Sequence, residues 1–142
     1  MSEGLSNLHV IELGGGVTAP MVGKLLADLG ATVVKVEPPE GEAARWRGPF
    51  RGPHVDPEAS GTFLYLNSNK RSVVLDLTQA AGRDSLEALI KDADVLIHNY
   101  TPQEMATYGV DYRHYCRINP RLVMLSLTPF GLTGPYRDYA AW

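Results

Sequence analysis

Short runs of β-branched and leucine residues alternate along the chain with stretches whose apolar positions recur at helical spacing. Leu8–Leu13 reads as a strand and is broken by Gly14-Gly15-Gly16. Met21, Leu25, Leu26 and Leu29 then share one helix face. Pro20 falls at the expected first helical position, where its missing N–H would be unpaired anyway, and Gly30 supplies the stop. Thr32–Glu37 is a second strand, closed by Pro38-Pro39, and Ser72–Leu77 a third. A helix carrying Leu86, Leu89 and Ile90 leads to a fourth strand, Asp94–His98. Asn99-Tyr100-Thr101-Pro102 opens a short helix to Tyr108, Asp111 caps another to Ile118, and Asn119-Pro120 ends it. Arg121–Leu127 is the last strand. Strands separated by helices require right-handed crossovers, so the fold class is α/β with a mainly parallel, Rossmann-like sheet and flanking helices.

One stretch has neither period. From Glu40 to Gly61 the chain holds Pro49, Pro53 and Pro57 with Gly41, Gly48, Gly52 and Gly61, and reads as a long surface loop. Loops of that length inside compact domains usually serve function.

With 142 residues, 44% hydrophobic and 20% charged, the chain has the size and composition of one globular domain. No apolar run approaches a membrane span, and Met1 to Leu13 lacks the basic and apolar regions of a secretory leader. Cys116 is the one cysteine, which excludes an internal disulfide and a multi-cysteine zinc site. A cytoplasmic protein that touches no membrane is the expectation. The formal charge of −3 arises from interspersed acids and bases and gives no nucleic-acid footprint. An anionic ligand would have to be held by local groups.

Gly14-x-Gly16-x-x-Ala19 lies between a strand and a helix, and Glu37 ends the next strand. This is the arrangement of a dinucleotide fingerprint. Its glycines let the backbone approach a pyrophosphate, and the acid accepts from a ribose hydroxyl. A bare tight turn is the structural alternative, and the motif does not choose among NAD, FAD and coenzyme A. Further on, Asn67-Ser68-Asn69-Lys70-Arg71-Ser72 brings two cations and small polar side chains to a strand mouth, chemistry that suits phosphate but also a solvated turn.

Together with Leu26–Ala31, Val33–Pro39, Leu75-Asp76-Leu77, Asp94–Tyr100, Asn119–Leu122 and Phe130–Tyr136, that segment resembles the family III CoA-transferases. The group includes formyl-CoA transferase, carnitine CoA-transferase and the α-methylacyl-CoA racemases. The resemblance covers nearly the whole chain, in order and spacing. It implies the N-terminal CoA-binding portion of a longer two-domain protein whose two chains interlock as a homodimer. Residues 1–142 would then be a fragment lacking the rest of the large domain and the small domain.

The resemblance also implies site residues. CoA would lie against Gly16, Val17, Thr18 and Ala19. Its adenosine and phosphate end would meet Asn67, Ser68, Asn69 and Lys70, with Arg71 beside them. Asn99 and Tyr100 would flank the adenine or pantetheine, and Thr128, Pro129, Phe130 and Gly131 would lie near the thioester. CoA and a carboxylic acid would be substrates, with no further cofactor, no metal and no nucleic-acid partner. Three positions depart from the family pattern. Pro38 and Thr107-Tyr108 stand where arginines are common, and Thr18 replaces a glutamine. Phosphate binding would therefore lean on Lys70 and Arg71, with Arg45 and Arg47 as further candidates.

The family's catalytic aspartate takes the acyl group as a mixed anhydride and then carries CoA as a thioester. It is expected beyond residue 142, so no residue here is assigned a catalytic role. The racemase branch carries a histidine eight residues past the second glycine of Phe-Gly-x-x-Gly, and counting eight from Gly134 gives Trp142. An indole cannot abstract a proton, which favours the transferase branch. Three alternatives stay open: a racemase-type enzyme, an NAD-dependent oxidoreductase and a non-catalytic CoA-binding or assembly module. His9, His54, His98 and His114 show no metal-type spacing, and His98 is expected to be structural. Cys116 is expected as a packed thiol.

Overall fold

All five expected strands form in the computed structural model, which describes residues 4–139. They are His9–Glu12 (β1), Thr32–Glu37 (β2), Arg71–Val74 (β3), Val95–His98 (β4) and Val123–Ser126 (β5). Every neighbouring pair is parallel, in the order β3-β2-β1-β4-β5. The chain thus works outward from β1 in one direction, then crosses back and works outward in the other.

Five α-helices follow the same punctuation: Thr18–Asp28 (α1), Gly61–Leu66 (α2), Ala80–Ile90 (α3), Pro102–Tyr108 (α4) and Tyr112–Ile118 (α5). Thr101 and Glu104 form a reciprocal capping box at α4, whose end is set by Gly109 at φ 71°. Asp111 caps α5 by accepting from the Arg113 amide. At the far end of α5, Asn119 donates from Nδ2 to Ile90 O and Ala93 O, satisfying carbonyls where α3 stops.

The two sheet faces are of different character. Ile11, Leu13, Val36 and Leu96 pack with Leu86 and Ile90 of α3 and Tyr115 of α5 into the larger apolar cluster. Fully burying each such leucine or isoleucine contributes about 1.5–3 kcal/mol. The opposite face packs Val10, Val33 and Ile97 against Ala19 and Ala27 of α1, and it also carries buried Glu12, Lys35 and Glu37.

Two expectations need adjustment. The first helix begins at Thr18, so Pro20 lies inside its first turn instead of starting it. The placement still costs nothing, because the first four helical N–H groups lack intrahelical partners. The loop from Glu40 to Gly61 contains a 3-10 turn at Ala43–Trp46 and one antiparallel bridge between Phe50 and Ser60, and it runs directly into α2. Six residues are too few to display a helical period. The readable signal was Ser60, whose Oγ accepts from the Phe63 amide as an N-cap.

Gly23 shows how closely α1 sits on the sheet. A Cβ built there would lie 1.8 Å from Glu12 Oε2 and 3.2 Å from Lys70 Nζ. Gly23→Ala should therefore lower stability, although alanine at a helical position normally gains about 1 kcal/mol over glycine. Chemical denaturation of the variant should show a lower midpoint; an unchanged or raised midpoint would contradict this packing.

Candidate functional site

The strand order reverses between β1 and β4, and a cleft of about 840 Å³ opens there at the carboxyl edge of the sheet. Ligands of open α/β sheets bind at such a point. Four segments build its walls: Gly14–Gly16 after β1, Val36–Ala43 at the end of β2 and beyond it, Leu75–Thr78 after β3, and Asn99-Tyr100 after β4. Trp46, Glu104 and Tyr108 complete the lining. The Tyr100 and Tyr108 rings lie 5.0 Å apart. Burial raises the Tyr100 phenol to about 12, opposed in part by a backbone hydrogen bond from Gly14, so it stays a neutral hydroxyl at physiological pH.

The glycine turn is clamped by side chains from two other segments. Gly15 N–H donates to Asn99 Oδ1 (3.1 Å), and Asn99 Nδ2 returns bonds to Gly15 O (2.7 Å) and Thr18 Oγ1 (3.1 Å). Gly16 N–H donates to Glu42 Oε1 at 2.9 Å. The glycines are required by these clamps. A Cβ at Gly14, which has φ +83°, would fall 1.9 Å from Asn99 Oδ1, and one at Gly15 would fall 2.5 Å from Glu42 Cγ.

Glu42 is itself held by a buried chain of alternating charges. The Lys35 ammonium lies 2.9 Å from Glu42 Oε2 and 2.9 Å from Glu12 Oε1, and it also donates to Gly14 O. Glu12 Oε2 accepts from Lys70 at 2.7 Å. Lys70 spends its other two protons on Pro20 O (2.8 Å) and Asn67 Oδ1 (2.9 Å). All four side chains are 3% exposed or less.

Glu37 is equally committed. Its carboxylate accepts from Arg45 Nε (2.6 Å) and Nη2 (2.9 Å), Ser72 Oγ (2.5 Å) and the Glu42 amide (3.3 Å). Burial alone would raise its pKa, but the hydrogen bonds from Arg45, Ser72 and Glu42 outweigh it and hold the group at about 2. Four accepted bonds fill a carboxylate, which leaves no acceptor for a ribose hydroxyl. The role that a dinucleotide fingerprint gives this acid is closed.

The residues singled out from the sequence separate into three groups. Gly16, Asn99 and Tyr100 line the cleft, and Thr18 is tied to it through Asn99. Val17 is exposed and Ala19 is buried against the sheet. Asn67, Ser68, Asn69 and Lys70 precede β3 and run along the flank of α1, away from the cleft. Ser68 accepts from Lys24, Asn69 donates to Asp28, and Lys70 is buried beneath Pro20. Asn69 takes φ 64°, a left-handed turn that asparagine tolerates. Arg71 is exposed at the start of β3. Thr128, Pro129, Phe130 and Gly131 follow β5 at the same sheet edge but do not line the cleft. The Thr128 hydroxyl is buried without a partner among the described residues. Arg45 is pinned by Glu37 and Glu58, and Arg47 is exposed. Trp142 lies outside the described residues.

Sequence reasoning missed Glu42, Leu75–Thr78, Glu104, Tyr108 and Trp46 as lining residues. Leu75-Asp76-Leu77 and Tyr108 carried a signal only through the resemblance, and Trp46 one as an aromatic residue in the Pro/Gly-rich loop. His98 proves structural. Its ring is 0% exposed, Nδ1 accepts from the Tyr100 amide at 3.2 Å, and Nε2 therefore carries the proton shared with Ser126 Oγ at 2.6 Å. The histidine fixes the turn that presents Asn99 and Tyr100. Cys116 is partly buried, with its thiol near Arg113 O.

Residues 5–142 match the description CoA-transferase family III. The succinate–glutarate CoA-transferase of Agrobacterium fabrum is 40% identical over 141 residues, which is 97% of this chain and 35% of its own. The formyl-CoA:oxalate CoA-transferase of Streptomyces avermitilis is 37% identical over 143 residues, covering 100% of this chain and 34% of its own. The crystal structure of a CaiB/BaiF family protein from Brucella suis superposes with a TM-score of 0.88 at 40% identity, over 98% of this chain and 37% of that one. The chain spans about a third of the length of the curated relatives it matches.

Burial lowers the His98 pKa from 6.5 to about 4. Between those values the unfolded chain binds the proton and the folded chain does not, so stability rises with pH and is complete above about 6.5. Titrating from pH 7 down to pH 4 should cost about 3 kcal/mol from this residue. Glu37 adds a further loss as pH falls below its ordinary 4.5 toward about 2. Urea denaturation across that range should show the decline, and His98→Asn should flatten the slope above pH 4.5. A wild-type profile already flat there would contradict the assignment.

Proposed function

The chain belongs to CoA-transferase family III, and on that premise we propose that it supplies the CoA-binding part of an enzyme that moves CoA between carboxylic acids. The observation that carries the reading is the coincidence of that membership with a cleft at the strand-order reversal, walled by the glycine turn and Asn99-Tyr100. In this reading Gly16, Asn99 and Tyr100 contact the CoA thioester. Asn67–Lys70 act from behind, by holding α1 and β1 in register.

In this reading a nucleophilic carboxylate takes the acyl group as a mixed anhydride and then carries CoA as a thioester, as the family resemblance implies. Among the described residues Glu12, Glu37 and Glu42 are the buried acids, and each is paired with a lysine or arginine. A carboxylate so held is a poor nucleophile, and in this reading, as the family resemblance implies, the catalytic aspartate lies beyond residue 142. The interlocked homodimer and the cytoplasmic location expected from the sequence belong to the same proposal. No helix among the described residues is long and apolar enough to cross a membrane.

Calorimetry with CoA and with NADH separates this reading from an oxidoreductase. CoA should bind one to one and NADH should give no measurable heat. Tighter binding of NADH would overturn the proposal. The 142-residue chain, incubated with acyl-CoAs and free acids, should show no exchange above background. Sustained turnover would place the nucleophile within these residues.

A further inference from the structure

The cleft has the wrong electrical sign for a polyphosphate. Among the described residues no lysine or arginine lines it, while Glu37, Glu40, Glu42, Asp76 and Glu104 do. Arg45 and Lys35 balance Glu37 and Glu42, but Glu40, Asp76 and Glu104 take part in no ion pair among the described residues. The nearby cations are spoken for. Lys35 and Lys70 are buried between carboxylates and carbonyls, and Arg45 is clasped by Glu37 and Glu58.

Two backbone donors of the glycine turn are also taken. Gly15 N–H is given to Asn99 and Gly16 N–H to Glu42, so a protein carboxylate already stands where a phosphate would bind. Pro20 removes one more N–H from the first turn of α1. What the cleft offers instead is acceptors and rings. Asp76 uses Oδ1 to cap Thr78, and Glu104 uses Oε2 to accept from Thr101, leaving one oxygen of each unused among the described residues. Tyr108 and the half-exposed Trp46 add aromatic surface. Carboxylate acceptors beside aromatic rings suit hydroxyl, amide and amino donors on an uncharged ligand segment.

Building on the proposal that the cleft takes a CoA thioester, we infer that it recognises only the uncharged nucleoside or pantetheine portion and leaves the phosphates in solvent. The 3′-phosphate then contributes almost nothing to affinity. Screening the acidic walls makes CoA bind more tightly, the opposite of a phosphate held by cations.

The test is calorimetric titration of the protein with CoA and with 3′-dephospho-CoA, each at low and high sodium chloride. The expected result is two dissociation constants within about threefold of each other, both falling as salt rises. A phosphate held by a cation would instead give dephospho-CoA a loss of about tenfold or more, and affinity that weakens with salt. Either result would overturn the inference while leaving CoA binding intact. No binding of either ligand at either salt would overturn the CoA reading itself.

Discussion

Glu42, Lys35, Glu12 and Lys70 form one buried line of alternating charge, and the geometry of the cleft depends on it. The line begins at the glycine turn, where Glu42 takes the Gly16 amide, and passes through β2 and β1 to end beneath the first turn of α1. Taking four charges out of water is costly, and their mutual attraction offsets that cost only while every partner stays in place. Removal of one member strands an uncompensated charge, which costs about 3–5 kcal/mol. Such a chain contributes specificity of arrangement more than net stability. It fixes α1 against β1, and it fixes the loop after β2 against the turn after β1.

The role of Lys70 changes accordingly. Its sequence context, two cations next to small polar residues, is what a phosphate site would look like. The same composition serves an internal purpose, because an ammonium with three donors also fits a carboxylate, a carbonyl and an amide oxygen. Nothing local distinguishes the two uses. The distinction lies in Glu12, which is 58 residues away in the chain.

The fold was legible to the extent that local rules act alone. Strand and helix order, the caps at Thr101 and Asp111, and the stop at Gly30 follow from residue types at short range. α2 was hidden because six residues carry no period. Of the site, the glycine turn and Asn99-Tyr100 were readable because strand ends in a parallel sheet converge on one edge. Leu75–Thr78 and Glu42 were not, because their neighbours are set by strand order. That order places β3 beside β2, and the loop after β2 over β1. Glycines 14 and 15 stand out in the sequence as a turn, and the structure adds a second reason for them, the side chains of Asn99 and Glu42 that fill their Cβ positions.

That pressure ties positions far apart in the chain into one heritable unit. The space a Cβ would need at residue 14 is occupied by the amide of residue 99, and the space at residue 15 by the stem of residue 42. Among descendants of this sequence, a side chain at 14 needs a smaller residue at 99 and also a turn that gives up its positive φ, and a larger one at 15 needs 42 to retreat. Drift at these four sites is therefore correlated, and a loop graft from a relative has to carry its own partner residues with it.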